Sequence, residues 1–259
     1  VITQPQRRHV RGLCGVGISH IRSGAANGLQ QQGKSGSTPT RLSRYSSTMS
    51  DIIPTPDLPG LPIEGDARRF PVRRIFCIGR NYADHAKEMG AAAEAIFFMK
   101  PADAIITTPR VPYPQATSDL HHEVELVLAL GDGGAIMGCA VGVDLTRRDL
   151  QAGMKARGGP WEIGKSFENS APIGLLRFGP VPERGSISLK VNGVRRQSGD
   201  LSEMILAPRR VLSELSRYFT LKPGDLVFTG TPAGVGPLQR DDRIKAEIAG
   251  LPPLEFTIG

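Results

Sequence analysis

The chain has 259 residues, of which 39% are hydrophobic, so it is long enough to bury the core of one large domain or two small ones. Its 32 Lys and Arg exceed its 25 Asp and Glu, but seven of the basic residues and no acidic residue lie in residues 1–50, which leaves the remainder neutral. This distribution argues against a nucleic-acid-binding domain, and no apolar run approaches the ~20 residues that cross a bilayer.

The first fifty residues are predicted to be a disordered basic tail. They are rich in Gly, Ser, Gln and Arg and show no sustained hydrophobic period. Two interpretations stay open: a mitochondrial transit peptide, or upstream read-through before a start at Met49. Three widely spaced cysteines suit neither a disulfide framework nor a zinc knuckle, which indicates a reducing compartment. If residues 1–50 are upstream read-through, the protein is therefore predicted to be cytoplasmic.

A P-loop pattern, "GLQQQGKS", occurs inside this tail at Gly28–Ser35. A functional P-loop follows a buried strand and opens a helix whose N-terminus receives phosphate. Neither "HIRSGAAN" before it nor "GSTPTRLSR" after it has the pattern of such an element. We therefore interpret the match as a coincidence of composition.

Residues 51–70 are predicted to form a Pro-rich extended lead-in, and residues 71–259 the catalytic domain. The domain is expected to begin with a strand at Val72–Gly79, followed by a turn and a short helix in "RNYADHAKEMG". Further strands are predicted in "IFFMK", "AIITT", "HHEVELVLAL" and "MGCAVGVD", the last of which ends at Asp144.

The second half of the domain continues this mixed pattern. A helix in "DLTRRDLQAGMKARGG" is expected to be capped by Asp144 or Thr146. "ISLKVNGVRRQ" predicts a hairpin around Asn192-Gly193, and "APRRVLSELSRYF" predicts an amphipathic helix with Pro208 in its first turn. A strand entering a Gly-rich loop, "GDLVFTGTPAGVG", precedes closing strands in "DRIKAEIAG" and "LEFTI". Strands outnumber helices, so one β-rich mixed domain of the α+β class is predicted.

Three acidic residues at two strand ends form a candidate metal site. Glu123 and Glu125 alternate along one strand, so their carboxylates share a face within ~7 Å and repel each other. Asp144 ends the next strand, and three converging carboxylates without clustered His or Cys suit Mg²⁺, Mn²⁺ or Ca²⁺. The alternative is a solvated face on which the glutamates pair with Arg or Lys. The apolar continuation "LVLAL" favours burial, where like charges need a partner.

A candidate general base lies on the short helix. His85 and Glu88 stand at positions i and i+3, on one face, and a carboxylate beside an imidazole raises its basicity and orients it toward water. The alternative is an ordinary surface helix. His121 and His122 are predicted mainly to position the start of the glutamate strand.

Cationic and polar residues complete the candidate site. Lys165 lies in an apolar stretch, where a buried ammonium needs an anion such as an enolate or a substrate carboxylate. Arg148 and Gln151 follow Asp144 by one and two helical turns and could hold a carboxylate tail. "TGTPAGVG" (Thr229–Gly236) offers backbone N–H groups and hydroxyls to an anion, or forms a plain tight turn.

Seven motifs along the domain occur together: "GRNYADHAKEM", "FFMKPADA", "DLHHEVELVLALG", "VGVDLTRRDLQ", "GPWEIGKSFENSAPIG", "VNGVRRQSGDLSEMI" and "LKPGDLVFTGTPAGVG". Their combination resembles the fumarylacetoacetate hydrolase family over roughly residues 51–259. The segments "LTRRDLQ" and "PWEIGKSFENSAP" are most similar to the fumarylpyruvate hydrolases of gentisate breakdown within that family.

The resemblance implies a mixed β-roll fold of the family's C-terminal type, a homodimer and a Mg²⁺ or Mn²⁺ site. It implies hydrolysis of a carbon–carbon bond in a 2,4-dioxo acid, most closely 3-fumarylpyruvate to fumarate and pyruvate. The implied roles are metal ligation by Glu123, Glu125 and Asp144, water activation by His85 with Glu88, enolate stabilisation by Lys165, and substrate contact by Arg80, Arg148, Gln151 and Thr231.

Other functions stay open on the same scaffold. They are hydrolysis of another acylpyruvate, decarboxylation of oxaloacetate, and isomerisation of a 2-hydroxy-dienedioate. A different class is a basic-tailed RNA-binding protein without catalysis.

Two segments are shorter than the family pattern. Relatives usually carry a helical insert between the glutamate and aspartate strands, where "LGDGGAIMGCAVGVD" has only a short Gly-rich turn, and "EMGAAAEAIFF" is also short. Both lie near the mouth or the support of the predicted site. We therefore expect an effect on lid closure, dimer packing or activity.

Overall fold

The computed structural model describes residues 52–88 and 95–259, without the side chains of residues 86–88. The predicted basic tail and its P-loop-like segment lie outside the described residues, as does most of "EMGAAAEAIFF". Residues Pro54–Gly259 form one compact unit.

The described residues contain eighteen strands and four α-helices. The strands are β1 (Gly60–Ile63), β2 (Asp66–Pro71), β3 (Arg74–Gly79), β4 (Ile96–Lys100), β5 (Ile105–Ile106), β6 (Arg110–Val111), β7 (Leu120–His122), β8 (Val124–Leu130), β9 (Ile136–Val143), β10 (Thr146–Arg147), β11 (Ala171–Pro172), β12 (Arg177–Phe178), β13 (Ser186–Val191), β14 (Val194–Asp200), β15 (Asp225–Phe228), β16 (Gly236–Leu238), β17 (Arg243–Ile248) and β18 (Leu254–Ile258). The helices are α1 (Ala83–Glu88), α2 (Arg148–Ala156), α3 (Glu162–Lys165) and α4 (Pro208–Leu215).

Two large sheets organise these elements. The first has the strand order β12-β9-β8-β15-β3-β4, and the second has the order β14-β13-β17-β18-β6. Both sheets are mixed, since β15 runs parallel to β3 and antiparallel to β8, and β18 runs parallel to β6 and antiparallel to β17. The predicted β-rich α+β class is confirmed.

Strand β8 lies at the centre of the fold and is buried along its whole length. Leu126, Leu128 and Leu130 belong to a core shared with the second sheet, whereas Val127 and Ala129 point into a second core. Burial on both faces explains why the run "LVLAL" lacks polar alternation. Glu125 lies near the start of this strand, so a rigid, fully buried element holds its position.

The described helices are short. Within residues 52–88 and 95–259 no helix combines the length and the apolar character that a bilayer crossing needs. Cys77 and Cys139 are both buried and unpaired, as the absence of a disulfide pattern predicts.

The extended lead-in is wrong over its second half. Residues 60–71 form a hairpin of β1 and β2, with Gly65 at φ 72° in its turn. Leu61 and Phe70 are buried in the second core, and this burial favours the hairpin despite Pro62 and Pro71. Proline is tolerated because the pair forms a two-stranded sheet with free edges.

The predicted helix cap is also wrong. Helix α2 begins at Arg148, with Arg147 as an N-cap that makes no side-chain capping bond. Asp144 is unavailable because its carboxylate contacts two lysines, and Thr146 lies in β10, paired with β7. The predicted long glutamate strand is likewise divided at Glu123 into β7 and β8.

Other local predictions are confirmed. Asn192 and Gly193 have φ values of 51° and 79°, which fit a type I′ turn between β13 and β14, and Pro208 opens α4. The link between β8 and β9 is a short 3₁₀ turn, Asp132–Gly134, as the missing insert predicts.

Candidate active site and metal centre

Strands β8 and β9 bring three acidic residues together. Their antiparallel register pairs Glu125 with Gly142, and the backbone N–H of Asp144 donates to the carbonyl of Glu123 at 2.8 Å. One carboxylate oxygen from each of Glu123, Glu125 and Asp144 lies within 4.8 Å of the others, and all three side chains are buried. The solvated-face alternative is therefore wrong, although Glu123 does pair with cations.

Two glycines permit this approach. A Cβ atom at Gly142 would meet Val127 Cγ2 at 2.5 Å and Phe228 Cε1 at 2.9 Å. Gly230, in the predicted Gly-rich loop, has φ 95° and donates its N–H to Glu125 Oε2 at 2.6 Å. One backbone N–H of that loop thus reaches a carboxyl group, that of Glu125.

Lys165 lies between two of the acids. Its Nζ donates to Glu123 Oε2 at 2.8 Å, to Asp144 Oδ2 at 2.7 Å and to Thr146 Oγ1 at 2.7 Å. An ammonium has three N–H donors, so all of them are used. While these three hydrogen bonds are made, only the charge of Lys165 is available to a ligand.

A second buried lysine, Lys100 at the end of β4, has no counterpart among the sequence predictions. Its Nζ lies 2.9 Å from Asp144 Oδ1, an ion-pair contact that lacks hydrogen-bond geometry. It donates to Ser170 Oγ at 2.9 Å and to the backbone carbonyls of Leu145 and Lys165. Both oxygens of Asp144 thus face a lysine.

Arg148 lies on the other side of Glu123. Its Nη2 donates to Glu123 Oε1 at 2.5 Å, and its Nη1 donates to Gln151 Oε1 at 2.6 Å. The two residues share one face of α2, as their spacing predicts, but the guanidinium is already paired with a candidate metal ligand. The amide N–H groups of Gln151 are the part of this pair still able to contact a substrate.

The electrostatic environment differs between the two glutamates. Burial alone would raise the pKa of Glu123, but the charges of Lys165 and Arg148 outweigh it and hold that pKa below its ordinary value. Burial, reinforced by the charges of Asp144 and Glu123, raises the pKa of Glu125 well above the ordinary range. Among the described residues, Glu125 has no Lys or Arg in ion-pair contact. Of the two glutamates, Glu125 is thus the one whose charge no described Lys or Arg balances by direct contact.

The donor set fits a divalent cation. All three candidate ligands offer carboxylate oxygens, which Mg²⁺ and Mn²⁺ prefer, and no described His or Cys belongs to the cluster. A cation would supply the positive charge that Glu125 lacks. Glu123, Glu125 and Asp144 are therefore the residues that would hold Mg²⁺ or Mn²⁺.

The acids lie at the floor of a cleft that most other predicted site residues line. His85, 6% exposed on α1, lines it together with Arg80, Arg148, Gln151, Lys165 and Thr231. Arg80 has φ 65°, a left-handed conformation that costs a non-glycine residue energy and is often found at functional sites. The side chain of Glu88 lies outside the described part of the chain, so its pairing with His85 stays a prediction.

Gln197 connects His122 and the start of β8 to the cleft residue Thr231. Gln197 Oε1 is 2.9 Å from His122 Nδ1 and accepts from the Val124 N–H, while its Nε2 donates to Thr231 Oγ1 at 2.8 Å. His121 Nε2 lies 2.8 Å from Asp119 Oδ1. The prediction that these histidines position the strand start agrees with these contacts.

Five further cleft residues escaped the sequence predictions: Ile78, Gly79, Phe98, Lys155 and Trp161. Lys155 Nζ lies 4.9 Å from the Trp161 ring centroid, and Trp161 packs against Phe98 with centroids 6.0 Å apart. The single Trp of the chain, directly after Gly159 and Pro160, could have indicated such a wall. Lys155 lies near a helix end, where lysine is ordinarily a surface residue.

The chain is similar to a known protein family and to several curated proteins. Residues 74–259 match the family model described as fumarylacetoacetate (FAA) hydrolase C-terminal. The chain is 39% identical over 204 residues to the oxaloacetate tautomerase YcgM of Escherichia coli (strain K12), covering 72% of this chain and 93% of that protein. It is 39% identical over 202 residues to the mitochondrial oxaloacetate tautomerase FAHD1 of Bos taurus, covering 72% and 91%.

A solved structure is also similar. The fumarylpyruvate hydrolase of Pseudomonas aeruginosa, crystallised in complex with Mn²⁺ and pyruvate, superposes with a TM-score of 0.79 at 43% identity. The match covers 81% of this chain and 99% of that one.

Proposed function

The chain belongs to the fumarylacetoacetate hydrolase family, and from that premise we propose that it hydrolyses a carbon–carbon bond of a 2,4-dioxo acid. The proposed substrate is 3-fumarylpyruvate, which with water gives fumarate and pyruvate. The observation that carries the proposal is that His85 lines the same cleft as Glu123, Glu125 and Asp144. A base for water and an acidic cation site are the two groups that this hydrolysis needs.

The acidic cluster serves the keto-acid end of the substrate. When bound, a divalent cation supplies Lewis-acid polarisation of the 2-oxo oxygen and a hold on the adjacent carboxylate. Glu123, Glu125 and Asp144 would hold it, with Mg²⁺ or Mn²⁺ as the candidates. The Mn²⁺ and pyruvate bound to the similar Pseudomonas aeruginosa enzyme support this choice.

His85 is the proposed general base that activates the attacking water. In the proposed reaction its imidazole takes a proton from water while the water oxygen attacks the C4 carbonyl. The C3–C4 bond then breaks, fumarate departs with the new oxygen, and the bonding electrons stay on the pyruvate enolate. A proton returned to C3 gives pyruvate, so one water molecule is consumed in each turnover.

The cations beside the cluster stabilise the developing charge. The enolate carries negative charge that the substrate lacked, and Lys165 is the buried ammonium nearest the acids at the cleft floor. The Thr231 hydroxyl accepts from Gln197 and keeps its own proton to donate. Arg148 holds Glu123 in place rather than standing free for the substrate.

A second candidate is keto–enol tautomerisation of oxaloacetate. The 39% identity to two oxaloacetate tautomerases, over more than nine-tenths of each, favours it. Tautomerisation moves a proton between C3 and the 2-oxo oxygen and needs no attacking water. The same acidic cluster could serve both reactions, whereas the water base is needed only for hydrolysis.

The test is a coupled assay of pyruvate release from fumarylpyruvate, from acetylpyruvate and from oxaloacetate, with loss of oxaloacetate enol absorbance followed in parallel. We expect pyruvate release from fumarylpyruvate that EDTA abolishes and Mg²⁺ restores. Loss of enol absorbance without hydrolysis of either acylpyruvate would replace the proposal with the second candidate. Pyruvate release that EDTA leaves unchanged would contradict the cation site.

Quaternary structure and compartment are further parts of the proposal. We expect a homodimer, which light scattering coupled to size exclusion would measure. We expect a cytoplasmic protein, or a mitochondrial one if residues 1–50 act as a transit peptide; the name of the mammalian FAHD1 relatives supports the second. Membership of an enzyme family supports a small-molecule substrate rather than the RNA-binding alternative.

A further inference from the structure

The cations of the cleft divide into two groups. Lys165 and Arg148 are paired with the acids of the floor, as is Lys100 behind them. Lys155 and Arg80 line the same cleft, yet neither has a carboxylate in hydrogen-bond or ion-pair contact among the side chains that the structure describes. Within the part of the chain that the structure describes, these two positive charges are available to a ligand.

Lys155 contacts one aromatic ring, which packs against a second. Its Nζ lies 4.9 Å from the Trp161 ring, Trp161 packs 6.0 Å from Phe98, and Lys165 Nζ lies 5.2 Å from the Phe98 ring. The two rings thus stand between an ammonium at the acidic cluster and an ammonium farther along the cleft. A flat, conjugated acyl chain could lie along this wall.

The cationic character of this end is concentrated. Lys155 is about half-buried on the last turn of α2, and burial lowers its pKa to about 8, with contributions from the charges of Arg148, Lys165 and Arg80. Charges that disfavour one another in an open cleft are stabilised by a bound anion. Arg80 adds a guanidinium from a backbone at φ 65°.

We propose that Lys155, with Arg80 beside it, forms a second anion subsite that binds the far carboxylate of a 2-oxo diacid whose near end occupies the acidic cluster. The inference rests on the proposed function and narrows its substrate class to diacids. A carboxylate at the end of the acyl chain would form charge-assisted hydrogen bonds to both residues. A neutral acyl end would leave both cations without a partner.

The test is calorimetric binding to the full chain in Mg²⁺, which requires no turnover. The ligands are 2-oxoadipate and 2-oxohexanoate, of equal chain length, which differ in a carboxylate against a methyl group. We expect the diacid to bind about tenfold or more tightly than the monoacid to the unmodified chain, because a charged hydrogen-bond partner typically contributes that much. Lys155→Met should remove most of this preference.

Two controls keep the result interpretable. Lys222→Met removes one exposed lysine outside the cleft and should keep the full preference. Pyruvate, which has only the keto-acid end, reports on the floor of the cleft and should bind Lys155→Met and the unmodified chain alike.

The outcomes separate the two proposals. Equal affinity for both ligands in the unmodified chain, or a preference that survives Lys155→Met, would overturn the subsite. A preference that Lys155→Met removes, in a protein that fails to hydrolyse fumarylpyruvate, would support the subsite and overturn the proposed hydrolysis.

Discussion

The ammonium of Lys100 lies 2.9 Å from Oδ1 of Asp144, and both side chains are buried. Lys165 contacts the other oxygen of the same carboxylate at 2.7 Å. Lys100 also donates to the backbone carbonyl of Lys165 and to Ser170 Oγ. Lys100 thus holds the candidate metal ligand Asp144 in place. It also holds the segment that carries Lys165, the other lysine paired with Asp144.

Lys100→Met should destabilise the fold. Removing one partner of a buried ion pair typically costs about 3–5 kcal/mol, because the remaining charge stays buried, and Lys165 compensates only one oxygen of Asp144. Urea unfolding in EDTA would measure the loss, and added Mg²⁺ should restore part of it. The matched Lys222→Met change, at an exposed site, should stay within about 0.5 kcal/mol of the unmodified chain. Equal stabilities for the two variants would contradict the account.

His85→Gln should greatly slow hydrolysis and keep the cation site. Loss of a general base typically lowers kcat about 100- to 10,000-fold, whereas none of the three carboxylates is changed. Steady-state kinetics on fumarylpyruvate and a Mn²⁺ titration would measure the two effects separately. Lys222→Met, at an exposed site outside the cleft, is the control. A kcat near that of the unmodified enzyme would show that another group activates the water.

Gly230→Ala should weaken the fold and the cation site together. Ala at φ 95° is strained, and its Cβ would meet the Asn81 Cβ at 2.7 Å, so the N–H that holds Glu125 must shift. Gly193→Ala, at φ 79° with nothing within 4 Å, isolates the backbone strain, which costs about 1–2 kcal/mol. Urea unfolding and a Mn²⁺ titration should show a larger loss of stability for Gly230→Ala, and lower Mn²⁺ affinity for it alone. Identical behaviour of the two variants would refute the role of this close approach.

The preference for a diacid should decline as pH rises through about 8 and above. Lys155 binds a carboxylate in its protonated form, and its pKa is lowered to about 8 by burial and by Arg148, Lys165 and Arg80, with Glu123 opposing the shift. Below that pH the ammonium is present and the preference is constant; above it the neutral amine predominates. A bound carboxylate favours the ammonium and moves the midpoint upward. The affinity ratio of 2-oxoadipate to 2-oxohexanoate across this range measures the effect.

In Lys155→Met the ratio should not change with pH. A pH-independent ratio in the unmodified chain would contradict a role for the Lys155 charge.

Local pattern was sufficient to predict the strands and the acids that they carry. The unbroken run after Glu125 indicated a strand buried on both faces, and the structure places its side chains in two cores. Glu125 and Asp144 lie at the ends of two consecutive predicted strands, which predicts that their carboxylates converge, and their oxygens do. Short-range sequence order determines this part of the site.

Long-range packing determines the parts that were missed. Lys100 ends an apolar strand before a proline, a pattern that equally suits a surface lysine. Asp144 lies 44 positions later in the sequence, and only the fold brings the two side chains into contact. The β1–β2 hairpin was hidden by its prolines, because burial of Leu61 and Phe70 outweighs local preference there. Gln197 joins His122 and Thr231 from three separate segments, which no spacing rule reveals.

The central claim is that Glu123, Glu125 and Asp144 hold one divalent cation. The most direct measurement is an anomalous difference map from crystals of the full chain grown with MnCl₂. The account predicts one peak per chain within bonding distance of all three carboxylates. Absence of a peak there under saturating Mn²⁺, with Lys165 and Arg148 still paired to the acids, would contradict it.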